Sequence, residues 1–243
     1  MSKVVTTTVL PRDGFDTLNI GATGDTVAIA GDSLNTNVLQ DAGGNNIFTS
    51  SSGTVSSTSL VGNLKLLSTQ TPSNSASVSF TSGLDSTYDV YIFKFIDINP
   101  ATDAADLTFQ VSTDGGSTYG EYITSTFFYA YHFDSTGQGL QYWTSGDLAQ
   151  STSYQNLVTS TANDADASCV GELHLFTPSN TTYVKQFYST MTSMFSGSGA
   201  VGAENDYVAG YVNSTSAVNA AQFTMSSGNI DAGTIKLYGI SKT

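Results

Sequence analysis

The stretch Tyr88-Asp-Val-Tyr-Ile-Phe-Lys-Phe-Ile-Asp-Ile98 decides how this chain is read. It holds no Gly or Pro and is dense in β-branched and aromatic side chains, which suit a pleated, half-buried surface. Side chains alternate along a strand, so Val90, Ile92, Ile96 and Ile98 are expected on one face, interrupted by Lys94. Tyr91, Phe93 and Phe95 fall on the other. A strand at a solvated surface would be polar on one side. Here both faces are largely apolar, so cover is expected twice. One side is the core of a sandwich; the other meets a second layer or a neighbouring subunit.

Downstream, Leu107-Thr-Phe-Gln-Val111 alternates cleanly and Asp114-Gly115-Gly116 signals a tight turn. Further strands are expected at 78–80, 122–133 (whole or broken), 141–144, 165–176, 183–195, 207–212, 220–225 and 234–240, with a short loop at 228–233. Residues 147–158 have no clear period and read as a loop or one short helix. So many strands without long amphipathic helices predict an all-β domain at 76–243. Its expected form is an antiparallel, jelly-roll-like β-sandwich.

Upstream the texture changes. Residues 63–75 read as a linker containing a short joining strand at Leu64-Lys-Leu-Leu67. Between 13 and 62 the apolar residues come singly or in pairs between turn-formers such as Asp41-Ala-Gly-Gly-Asn-Asn46. About a dozen apolar side chains cannot offset roughly 1–2 kcal/mol of backbone entropy per residue. Such a segment is either a linker or a shaft in which copies wind together. The regular short strands favour the shaft, with three copies sharing an axis lined by Val27, Ile29, Ile47 and Phe48.

Composition narrows the chemistry. Of 243 residues only 11% are charged, the net charge is −13, and Arg12 is the only arginine. Seven scattered basic residues cannot make the footprint that phosphate backbones require, so nucleic acid is excluded as a partner. Cys169 is the only cysteine, so no intrachain disulfide can form, and it reads as a small buried apolar residue. The start lacks the apolar run of a signal peptide, and no stretch approaches the ~18 apolar residues of a membrane span. The expectation is a protein made in a cytoplasm, without membrane insertion.

Catalytic and metal signals are thin. Glu121, Glu172 and Glu204 form no paired motif, and Asp103, Asp114, Asp134 and Asp147 sit in turn contexts where Asp caps its own backbone. His132 and His174 lie in apolar runs and read as core or interface residues. Asp164-Ala-Asp166 and Asp103-Ala-Ala-Asp106 lack the spacing of a calcium loop. No enzyme activity, cofactor or metal is expected. The aromatics of Phe127-Phe-Tyr-Ala-Tyr-His-Phe133 read first as packing, while Trp143, with Tyr142 beside it, is the candidate glycan contact.

Gly24-Asp-Thr-Val-Ala-Ile-Ala-Gly31 and Gln40-Asp-Ala-Gly-Gly-Asn-Asn-Ile-Phe-Thr-Ser50 resemble N-terminal shaft segments of fibre proteins from marine tailed phages, cyanophages among them. Leu107-Thr-Phe-Gln-Val-Ser-Thr-Asp-Gly-Gly-Ser-Thr-Tyr119 and Ser227-Gly-Asn-Ile-Asp-Ala-Gly-Thr-Ile-Lys-Leu-Tyr-Gly239 resemble β-sandwich modules of the same class. The resemblance implies a homotrimeric, non-enzymatic virion structural protein, a short fibre or a decoration on capsid or tail, at the virion surface. Residues 1–12 would then anchor it to other virion proteins, and assisting host attachment is a further role. The alternative is a carbohydrate-binding head that recognises a host surface glycan.

Overall fold

A computed structural model describes residues 64–197 and 200–241, together with the backbone of three short strands upstream. The chain divides into two compact units, Met1–Leu60 and Val61–Thr243. In the first, β1 (Val38–Gln40), β2 (Asn46–Ser51) and β3 (Thr54–Ser56) pair antiparallel in that order, with an irregularity between Leu39 and Gln40. Ile47 and Phe48 fall on β2. Val27, Ile29 and the leader 1–12 lie outside the described residues.

The second unit is an antiparallel β-sandwich, as the strand pattern predicts. Its strands are β4 (Leu64–Gln70), β5 (Val78–Phe80), β6 (Val90–Pro100), β7 (Leu107–Ser112), β8 (Ile123–Phe133), β9 (Gln138–Tyr142), β10 (Gln155–Asn156), β11 (Cys169–Phe176), β12 (Lys185–Gly197), β13 (Ala200–Val212), β14 (Ala220–Met225) and β15 (Ile230–Ile240). One sheet has the order β10-β7-β14-β5 and the other β4-β15-β6-β11-β12-β13-β8-β9. The chain passes repeatedly between the two, β5, β7, β10 and β14 in the small sheet and the rest in the large one. That alternation gives the sandwich its jelly-roll-like character.

Tyr91, Phe93 and Phe95 of β6 are buried against the small sheet. Phe223 of β14 is the wedge between the layers. Its ring lies 5.0 Å from Phe93, 5.1 Å from Phe95 and 6.1 Å from Phe80, each edge to face. Phe109 of β7 meets Phe187 of β12 in the same way at 5.0 Å. Cys169 is fully buried in this core, and burial pushes its thiol up to about 12. The back of β7 is covered by loops, and buried Gln110 donates to the carbonyls of Glu121, Thr152 and Ser153.

Ile98 departs from the expected alternation. It is fully buried with the inner row, not on the face of Ile92 and Ile96. Asp97 has φ 51°, and the register with both neighbouring strands shifts here, so one extra residue is inserted. Such a bulge turns the following side chain to the opposite face. Other differences are local. Of the alternatives left open, strand β8 is whole and residues 147–158 are loop with the two-residue β10, while residues 64–70, within the expected linker, pair with β15. The turn at 114–116 has φ 76° and 87° at Gly115 and Gly116. Those left-handed values favour glycine.

Replacing Phe223 with Ala removes the wedge and leaves a cavity between the sheets. The expected loss is roughly 3–5 kcal/mol, read from denaturant unfolding of the purified chain. A loss near zero would show that the layers are held elsewhere.

Candidate functional site

Four strands cannot cover all eight, and one end of the large sheet shows what fills the gap. On the inner face of β8, Tyr129, Tyr131 and Phe133 follow Phe127 at every second residue. Register places Tyr131 and Ser193 on either side of Glu204, and Tyr129 and Met191 on either side of Asp206. Phe195 of β12 closes the row. The segment 157–162 lies across this end, tied by Leu157 N–H to the Leu107 carbonyl (2.8 Å), Thr161 N–H to that of Ala105 (3.0 Å) and Ser196 N–H to that of Ser160 (2.9 Å).

Trp143, in the turn after β9, donates its backbone N–H to the Phe127 carbonyl (2.8 Å) and sets its ring edge-on to Phe127 at 4.9 Å. Gly146 is required for this pose, since a Cβ there would lie 2.1 Å from the indole. The result is a cavity of about 350 Å³ lined by the rings of Tyr129, Tyr131, Phe133, Trp143 and Phe195, with Gln141, Thr159, Ser160 and Glu204. Neighbouring rings stand 4.7–6.0 Å apart and tilted along the series Tyr129, Tyr131, Phe133, Phe195.

Glu204 and Asp206 set the electrostatics. Both side chains are buried, at 2% and 0% exposure. Glu204 Oε1 and both carboxyl oxygens of Asp206 have no hydrogen-bond partner among the described residues, nor do the nearby hydroxyls of Ser193 and Thr161. Burial raises Glu204 to about 7 and Asp206 to about 9, and Glu204 adds to the shift of Asp206 by repulsion. The backbone of Thr159 offsets a little of the Asp206 shift but falls short of hydrogen-bond geometry. Asp206 is sealed beneath the pocket; Glu204 lines it.

The candidate glycan contacts separate. Trp143 lines the pocket, while Tyr142, its neighbour in sequence, points to the opposite face, 53% exposed with its hydroxyl on Asp147. The two do not form one platform. Asp114 caps its turn, accepting from Ser112 Oγ, Thr118 N–H and Thr118 Oγ1, and these bonds hold its carboxyl down to about 2. Glu172 is held below the usual carboxylate range, first by Lys94 at 2.9 Å and also by His174 at 2.8 Å. His174 stacks on Tyr188 at 4.5 Å; His132 is exposed, its Nδ1 beside its neighbour's carbonyl. Among the described residues, no group of three or more His, Cys, Asp or Glu could hold a metal ion.

The outer face of the large sheet is a second surface of note. Register aligns Lys236, Lys94, Glu172, Thr190, Tyr207, Phe128 and Tyr142 in one row across seven strands. Leu66, Tyr238, Ile92, His174 and Tyr188 form the next. Phe128 and Tyr207 stack face to face at 5.0 Å. Leu66, Ile96, Phe128, Leu140, Tyr142, Val170, Tyr188 and Tyr207 all stand 37–70% exposed on this face. No protein-family model, curated protein or solved structure matches the chain.

The buried acids make stability depend on pH with a definite sign. Each is protonated in the fold above its ordinary value, 4.5 for Glu204 and 3.8 for Asp206. Over that window the unfolded chain gains by ionising and the folded chain does not, so their effect is to lower stability as pH rises from about 4 to about 9. Asp206→Asn should melt at a higher temperature than the parent at pH 8, with the difference vanishing near pH 4. Parallel melting curves at both pH values would refute the burial argument.

Proposed function

We propose that the chain is a non-enzymatic structural protein of a tailed-phage particle, a homotrimeric short fibre or surface decoration whose sandwich packs against its own copies. The observation that carries the reading is the outer sheet face. Monomeric soluble proteins rarely leave a contiguous apolar patch larger than a few hundred Å² open to water. Here exposed aromatics and aliphatics run across the large sheet, broken by few charges.

Charge favours a second copy as the occupant. In a chain of net charge −13 this face carries Lys94 and Lys236 against Glu172, so copies meet there without opposing most of their own acidity. Closed cyclic symmetry would bury the patch and stop growth into open fibres. The shaft at 13–62 comes from its sparse apolar pattern, and the threefold number and docking through residues 1–12 from the sequence reading together with the resemblance. That it is non-enzymatic comes from the sequence, which offers no paired-carboxylate motif of the kind glycan hydrolysis calls for.

Light scattering on the intact chain at micromolar concentration should give about three times the chain mass of 25.4 kDa. Phe128→Glu with Tyr188→Glu, both 41% exposed, should reduce that mass while the thermal transition of the sandwich persists. A monomeric parent chain would overturn the proposal.

A further inference from the structure

The pocket beneath Trp143 makes an unusual combination of demands on a ligand. Its wall is a series of aromatic rings, and its polar groups are mostly occupied with one another. Tyr129 donates its hydroxyl to Gln141 Oε1 at 3.2 Å, Gln141 Nε2 donates to the Tyr131 hydroxyl at 3.3 Å, and Thr159 donates to Ser160 Oγ at 3.2 Å. What is left is the Glu204 carboxyl, 2% exposed, lining the cavity with Oε1 unpartnered.

Ligand classes can be compared against that lining. A neutral sugar brings several hydroxyls, each needing a partner, and this wall is built mostly of rings. A calcium ion takes six to eight oxygens, whereas this wall is aromatic and no metal-binding group of three side chains exists among the described residues. An alkylated ammonium needs no hydrogen bonds. It gains from ring faces through their quadrupoles and from one carboxylate through charge. A volume of about 350 Å³ is ample for a compact head group.

We propose that this pocket binds an organic ammonium ion, with a methylated head group among the aromatic rings and its charge against Glu204. The proposal is independent of the oligomeric reading, since the pocket lies on the inner side of the large sheet and the apolar face on the outer. The groups facing Glu204 are Tyr129 and Tyr131 from β8, Asp206 on its own strand, and Asp106 near the start of β7; Cys169 lies in the same row as Glu204, beyond Ser193. None of these is a resident cation. Asp206 stays protonated through neutral pH, leaving Glu204 to carry the charge as pH passes about 7.

Trp143 is the only tryptophan in the chain and it lines the pocket, so its emission reports on this site alone. The intact protein is titrated at pH 8 with choline and with 3,3-dimethylbutan-1-ol, the neutral compound of the same shape. Choline should give a saturable change in emission and the alcohol none. The choline affinity should fall by roughly tenfold on lowering the pH to 6 and in Glu204→Gln, which keeps the size of the side chain and removes its charge. Glu172→Gln, on the opposite face, should bind as the parent does, and circular dichroism confirms that both variants fold. No saturable response, an equal response to the alcohol, or unaltered binding in Glu204→Gln would overturn the proposal. So would a calcium-induced change that a chelator reverses and Glu204→Gln abolishes.

Discussion

The sandwich depends on one contact, the insertion of the Phe223 ring from β14 among Phe80, Phe93 and Phe95. Edge-to-face rings at these distances contribute about 0.5–1.5 kcal/mol per pair beyond their buried area. They also fix where the small sheet sits, because a ring held on several sides tolerates little sliding. Once the four strands are seated over β6 and its neighbours, the far ends of β8, β12 and β13 are left for other chain to cover. The turn at 143–146 and the segment at 157–162 do so without strands stacked ring on ring, and a cavity remains. The pocket is thus a consequence of unequal sheets.

Buried charge is handled in two ways in this molecule, and the contrast separates architecture from site. Lys185 is fully buried, but its ammonium donates to the carbonyls of Tyr183 (3.2 Å) and Ser214 (2.9 Å). It ties the start of β12 to the chain leaving β13, and burial with some of its hydrogen bonds intact is a structural use of charge. Among the described residues, Glu204 and Asp206 have no comparable partners for the unpaired oxygens they bury. An orphaned buried acid costs stability, so its presence beside an aromatic wall asks for a reason outside folding.

Much of this was legible in the sequence, for identifiable reasons. Period-two alternation put Tyr91, Phe93 and Phe95 on the core face, and the structure agrees; the same rule failed at Ile98 because Asp97 adopts a left-handed backbone that alternation does not foresee. Trp143 was legible as a candidate contact. That Tyr142 would point the other way followed from alternation as well, and the pair should not have been read together. Glu204 was noted only as a carboxylate without a paired motif and Asp206 not at all, because the expected strand began at Tyr207, whereas β13 begins at Ala200. Their signal was there: both share parity with Val208 and Val212, which face the core. Residues 147–158 gave no periodic signal because only the two residues of β10 form a strand, and the core side chains Leu148, Leu157 and Val158 come from irregular backbone without a period.

Cys169 carries a consequence of its own. Paired across the sheet with Ile98 on one side and Ser193 on the other, it is closed to solvent, and its thiol is raised to about 12. Thiolate, not thiol, is the reactive form, so Cys169 is silent towards thiol-directed reagents at neutral pH while the protein is folded. While folded, the chain would therefore not crosslink to other copies through sulfur. Because the chain has a single cysteine, uptake of a thiol reagent marks each opening of the core. The residue is a built-in clock for unfolding, and a cysteine placed elsewhere could be labelled without background.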